Sequence, residues 1–252
     1  MSNQPIEPAV SQPAEAVAEC ASCGKPKPLC ICDSVVPLAN RLPILILQHP
    51  QEQDRALGTA RLTVRHFTDA VLRIGLSWPS LARTLGRPVR DPARWAILYL
   101  GSAKASDLAS DPASAFEGGP VIALDRKGRM EERQRGILRG IEGVVLLDGT
   151  WSQAKALWWR NPWMLKCQRI ILNPAQPSRY GRLRREPRRD GLSTIEAAAM
   201  VVGHLEQRPD IEAALSASFE RMLARYRQVQ REFPELVDRP RPRRTHRRGK
   251  RR

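Results

Sequence analysis

The sequence predicts an α/β domain, a mostly parallel sheet with helices on both faces. Three observations carry this. Short apolar runs at 43–47, 95–100, 121–124, 144–147 and 170–172 have the unbroken character of strands buried on both sides. Longer stretches at 52–67, 128–141, 151–160 and 193–206 fit helices between and after them. The chain has 252 residues, 42% of them hydrophobic, enough for one sizeable core.

From the N-terminus, residues 1–19 are acidic, rich in Pro and Ala and free of aromatics, so they predict a disordered leader with little to bury. They lack the charged-then-apolar order of a signal peptide, and no apolar run approaches the roughly 18 residues of a membrane span. A cytoplasmic chain without membrane contact is expected.

Cys20, Cys23, Cys30 and Cys32 follow as Cys-x2-Cys-x6-Cys-x-Cys, with Gly24 and nearby prolines to turn the backbone. Two close pairs across a short turn let four thiolates converge on one tetrahedral zinc ion, so 20–37 reads as a zinc knuckle. With every position taken by sulfur, such an ion is structural. Cys167 is left over and expected to be a small buried hydrophobe.

Residues 38–232 hold the α/β elements. The run at 43–47 leads into His49-Pro50-x-Glu52-x-x-Arg55, and the run at 95–100 into Gly101 and Ser102. The run at 144–147 ends at Leu147 and delivers Asp148, Gly149, Thr150 and Trp151 to the start of a helix. In open α/β sheets ligands bind at this carboxyl edge of the strands. Thr150 and Gln153 fit a capping box, which explains those two residues and leaves Asp148 and Trp151 to be accounted for. Ser193 and Glu196 form a second box, and Ala197, Ala198 and Ala199 let that helix pack closely. Two capped helix starts are also two places where amides and the helix dipole can hold a carboxylate. Farther on, Ile211, Leu215, Phe219, Met222, Leu223 and Tyr226 recur at spacings of three and four, giving a final helix one core face.

Charge is distributed unevenly. The net charge is +16 and the isoelectric point about 10.7, which points to a polyanionic partner. A basic tail, 233–252, is expected to be disordered; from Arg239 onward it has nine Lys or Arg and no acid. Within the body, Arg179, Arg182, Arg184, Arg185, Arg188 and Arg189 surround Tyr180. Arginine forks grip phosphates and a ring among them stacks on an unpaired base, so this loop predicts RNA contact.

The cysteine pairs near the start, His49-Pro50-x-Glu52, Asp148-Gly149-Thr150-Trp151 and Ser193-Thr194-x-Glu196-Ala197 together resemble the DTW-domain family, the tRNA-uridine aminocarboxypropyltransferases. The resemblance runs from about Cys20 to Met200. It implies a SPOUT-like fold with its knotted backbone, and an enzyme that moves the 3-amino-3-carboxypropyl group of S-adenosylmethionine to N3 of a uridine in tRNA, releasing methylthioadenosine. One departure is Gly58 before Thr59, where family members often carry Asn.

On this reading Asp148, Thr150 and Trp151 are the catalytic candidates. Gly101, Ser102, Leu147, Gly149, Ser193, Thr194 and Glu196 are the donor-binding candidates. His49, Arg55 and the arginine loop with Tyr180 face tRNA. Asp148 either takes the N3 proton or holds the donor's ammonium group. No obligate protein partner is evident. Two other readings fit parts of the sequence: a non-catalytic RNA-binding or ribosome-associated zinc protein, and an S-adenosylmethionine-dependent RNA methyltransferase.

Overall fold

The computed structural model describes residues 17–98, 119–184 and 191–237. A six-stranded sheet forms its centre, in the order β2-β1-β5-β3-β6-β4: β1 (Ile44–Gln48), β2 (Ala70–Ile74), β3 (Trp95–Leu98), β4 (Val121–Leu124), β5 (Gly143–Asp148) and β6 (Gln168–Leu172). All neighbours are parallel except β4 and β6, so the expected mostly parallel α/β sheet is present.

The alternation of strand side chains builds two cores. Ile44, Ile46, Val144 and Leu146 face one way, under α1 (Ala60–Arg65), α5 (Thr194–Glu206) and α6 (Pro209–Glu232). Leu45, Leu47 and Val145 face the other way, under α2 (Leu81–Leu85) and α4 (Trp151–Arg160). Burial on both faces is why these strands read as unbroken apolar runs. Cys167 is buried in the second core, as expected, and its thiol is pushed up to about 12 by that burial.

Several boundaries differ from the sequence reading. The single helix expected at 52–67 is a 3-10 turn, Pro50–Glu52, then a loop, then α1. Gly58 sits in that loop where a Cβ would come within 3.1 Å of the Arg55 carbonyl. The helix expected at 128–141 shortens to α3 (Gln134–Arg139). Strand β2 was absent from the expectation because it is a half-exposed edge strand with no buried residue. The knotted backbone that the resemblance implies is left open, since the connections at 99–118 and 185–190 lie outside the described residues.

The cysteine segment is packed against the body. Its Ile31 and Val35 join the first core, and Leu29 meets Val229 of α6 and Leu236. Leu236, in a 3-10 turn at Pro234–Leu236, extends the packed body past the expected tail boundary at 233. The basic residues from Arg239 onward lie outside the described residues. Among the described residues no helix is long and apolar enough to cross a membrane.

Candidate active site

Strand β5 sits between β1 and β3, and its last residue, Asp148, lies level with Gln48, the last residue of β1. This is the carboxyl edge of the sheet at the point where chain connections diverge, the usual position for a ligand crevice. A small hollow, open to solvent, occurs there. Its walls come from Thr59, Leu98, Leu146 to Gly149, Tyr180, Arg184, Leu192 to Thr194 and Ala197.

Asp148 is only 9% exposed. Gln48 Nε2 donates to its Oδ2 at 2.8 Å, and the Thr194 hydroxyl donates to its Oδ1. Burial raises its pKa, opposed by these two hydrogen bonds; the nearby charge of Glu52 raises it further, and Arg184 lowers it. Desolvation thus makes the carboxylate more basic than in water, while two donors keep its orientation fixed.

Thr194 reaches Asp148 because of how α5 begins. Ser193 accepts from Glu196 N at 3.4 Å, and its own N–H and hydroxyl donate to Glu196 Oε2 at 2.9 and 2.6 Å. Glu196 also takes Ser178 Oγ at 2.7 Å and Arg179 N at 2.8 Å. The expected cap is therefore present, but the Glu196 carboxylate is occupied by four donors and does not line the hollow. It ties the arginine loop to the helix that carries Thr194.

The other expected cap is present as well: Thr150 N donates to Gln153 Oε1 at 2.6 Å, and Gln153 N donates to Thr150 Oγ1 at 3.4 Å. Gly149 is needed here, since a Cβ would come within 2.9 Å of Gln153. Thr150 and Trp151 lie outside the hollow's wall, in contrast with Asp148 and Gly149; the Trp151 ring faces the Lys155 ammonium at 5.6 Å.

The arginine loop divides. Tyr180 is 2% exposed, packed edge-on to Phe219 at 5.0 Å and donating its hydroxyl to Leu57 O at 2.6 Å. This corrects the expectation that its ring stacks on a base: the phenol is a buried anchor. Arg184 lies over that ring at 5.4 Å and lines the hollow, while Arg179 contacts Glu220 at 3.3 Å and Arg182 is exposed. Arg185, Arg188 and Arg189, with Gly101 and Ser102, lie outside the described residues.

His49 is half-buried at the rim, its Nδ1 accepting from Gln51 N at 3.2 Å, and burial lowers its pKa. Arg55 is exposed and within 3.3 Å of Glu52. Sequence reasoning did not place Gln48, Thr59 or Glu52 in the site. Glu52 is 3% exposed, and its Oε2 lies 3.8 Å from the Arg184 guanidinium. Gln48 Oε1 is buried without a hydrogen bond among the described residues, whereas Glu52 Oε1 has the Arg55 guanidinium 3.3 Å away. A buried acceptor like that of Gln48 beside a hollow suits a ligand that brings donors. The His-Pro-x-Glu spacing was the available signal for Glu52; Gln48 and Thr59 needed the sheet register.

The sulfurs of Cys20, Cys23, Cys30 and Cys32 lie within 4.8 Å of one another, with Cys23 and Cys30 3.8 Å apart. Zinc at about 2.3 Å from four sulfurs has sulfur–sulfur edges near 3.8 Å, so the cluster fits a tetrahedral ion. The Cys20 thiol is drawn down to about 6, first by the Cys23 backbone N–H, and burial pushes Cys30 up to about 11. A cation at the centre favours thiolate at all four.

The DTW domain family matches residues 17–227. The chain is 25% identical over 213 residues to tRNA-uridine aminocarboxypropyltransferase 2 of Macaca fascicularis, covering 84% of this chain and 62% of that protein. The relative of that name in Drosophila melanogaster is 28% identical over 199 residues, 78% of this chain and 70% of its own length. The one in Mus musculus is 27% identical over 215 residues, 84% and 62%. This chain thus spans under two thirds of the length of the two mammalian relatives. No solved structure matches it. With a match that takes in the cysteine cluster, Asp148 and both capped helix starts, the chain belongs to the DTW-domain family.

Proposed function

We propose that this chain transfers the 3-amino-3-carboxypropyl group of S-adenosylmethionine to N3 of a uridine in tRNA, leaving methylthioadenosine. Family membership and the names of the relatives support the reaction class. The observation that carries the reading in this chain is the buried Asp148, oriented by Gln48 and Thr194 and open to a hollow at the carboxyl edge.

Bound S-adenosylmethionine supplies a carbon made electrophilic by an adjacent sulfonium. Asp148 accepts the proton of uridine N3 as N3 bonds to that carbon. The carbon–sulfur bond breaks with its electron pair going to sulfur, so the leaving thioether is neutral. A carboxylate is a modest base even when desolvated, and much of the acceleration is assigned to alignment of N3, carbon and sulfur.

Arg184, held over Tyr180 and near Glu52, suits the donor's carboxylate. Gln48 Oε1, buried without a hydrogen bond among the described residues, and the Glu52 carboxylate suit its ammonium group. Gly149 gives backbone room at the rim. The cysteine cluster holds one structural zinc and fastens the N-terminal segment to α6.

The test is incubation of pure protein with undermodified tRNA and S-adenosylmethionine, followed by mass analysis of nucleosides and small products. A uridine heavier by the aminocarboxypropyl group, with methylthioadenosine, is expected. A methylated nucleoside with S-adenosylhomocysteine would overturn the reading in favour of a methyltransferase, and unchanged tRNA in favour of a binding protein. Metal analysis should give one zinc per chain, lost in Cys23→Ser.

A further inference from the structure

We propose that the outer face of α4, together with the turn after β2, docks the RNA strand that carries the target base, with Trp159 as its stacking platform. The proposal rests on the RNA-modifying reading above and names a surface which that reading does not require.

Trp159 is 78% exposed, an indole left in water on a helix whose opposite face is core. A single exposed apolar side chain is ordinary on a protein surface; an indole beside cations, at the edge that carries the site, is a surface on which a base can stack. On α4, Trp151, Lys155 and Trp159 recur every four residues, so they share one side of the helix. The stripe is about 12 Å long at ~1.5 Å per residue, and it starts three residues after Asp148.

Its far end also belongs to the site's edge of the sheet. Asn161 donates to Leu76 O at 3.0 Å and accepts from Trp78 N at 2.7 Å, and Ser77 donates to Arg160 O at 3.0 Å. Those partners immediately follow the carboxyl end of β2, so α4 runs along the edge where Asp148 and His49 lie. The charge of Arg160 acts on His49, and Gln153 donates to Gln51 at 3.1 Å, which ties the first turn of α4 to the rim. Ile74 and Leu76, 38% and 37% exposed, widen the apolar part.

Charge selects the occupant. Between Asp148 and Glu186 the sequence has eight Lys or Arg and no acid, and between Asp69 and Asp91 it has four Arg and no acid. Lys155 and Arg160 place positive charge beside the exposed indole, and a face that mixes the two repels basic protein surfaces and matches phosphates and bases together. The ring that the sequence offered for stacking, Tyr180, is buried, whereas the Trp159 ring is exposed.

The experiment measures binding of labelled, unmodified tRNA to the full chain across a salt series, with S-adenosylmethionine affinity, melting temperature and solution mass recorded for each variant. Trp159→Ala should weaken tRNA binding about tenfold with an unchanged salt slope, and Trp159→Phe should restore most of it. Lys155→Ala with Arg160→Ala should flatten the salt slope by about one unit per charge removed. Donor affinity and melting temperature should stay at wild-type values. Wild-type tRNA affinity and slope in both variants would overturn the docking face while leaving the transferase reading intact. Loss of a dimer in Trp159→Ala with tRNA binding retained would also overturn it, assigning the face to a second copy. If the wild-type chain binds tRNA but makes no aminocarboxypropyl uridine, the transferase reading fails and the variants still decide the face. If it binds no tRNA, both fail.

Discussion

Helices α4 and α5 begin with the same device, a hydroxyl cap answered by a side chain three residues on, yet only one of them builds the site. At α4 the residue after the cap is Trp151, whose ring faces Lys155 and is not part of the hollow's wall. At α5 it is Thr194, whose hydroxyl donates to Asp148 from across the sheet edge. The return side chains differ as well. Gln153 reaches Gln51 at the rim, whereas Glu196 collects Ser193, Ser178 and Arg179 and so fixes the loop that brings Arg184 to the hollow. A capping box locates a helix start; what the next side chain meets decides whether that start acts on a ligand.

This contrast can be broken by paired substitutions. The largest stability difference is expected between the return side chains. Glu196→Ala strands several donors of a charged acceptor and should cost about 3 kcal/mol, against about 1 kcal/mol for Gln153→Ala, read by denaturant unfolding. Equal costs would mean that the arginine loop is held by something other than α5.

Next come the hydroxyls. Thr194→Val should lower single-turnover transfer about tenfold by freeing one Asp148 oxygen, a loss of ~1.4 kcal/mol in the barrier. Thr150→Ala should cost about 1 kcal/mol of stability through the lost cap and leave transfer near wild type. If Thr150→Ala proves the slower enzyme, the roles of the two helix starts are reversed.

The smallest effect is on stability against pH. Burial raises the folded pKa of Asp148 above its unfolded value, so its contribution favours the fold below about pH 3.9 and is lost as pH rises through the folded value. Asp148→Asn avoids that loss, and its amide can still accept from Gln48 while donating to Thr194. The variant should melt at or slightly above the wild-type temperature at neutral pH, with the difference closing in acid. A lower melting temperature at pH 7 would show that the ionised carboxylate stabilises the fold.

Much of this is legible in the sequence alone. The apolar runs gave five strands because parallel strands under helices on both sides must be apolar throughout, and the bounds expected for α4 hold because its cap and its terminal Arg160-Asn161 are local features. Both boxes could be read from four-residue patterns. What failed depends on partners distant in sequence. Strand β2 pairs at an edge with its side chains half in water, so it has neither an apolar run nor a clean alternation. Tyr180 lies in an arginine-rich stretch that looks wholly solvent-facing, but Phe219 and Leu57 draw its ring inward. Gln48 and Thr59 acquire meaning only once register sets one beside Asp148 and packing sets the other in the hollow's wall. Glu196 passed for a donor ligand because its four hydrogen-bonding partners include two from residues 178 and 179.

The central claim is that one buried, doubly hydrogen-bonded carboxylate performs the chemistry at this edge. Its most direct test is the single-turnover rate of aminocarboxypropyl-uridine formation by Asp148→Asn, measured at saturating S-adenosylmethionine and tRNA beside the wild type. The account predicts a rate lower by about 10²–10⁴ at an undiminished melting temperature. A wild-type rate accompanied only by weaker donor binding would contradict it, making Asp148 a holder of the donor's ammonium group instead of the base.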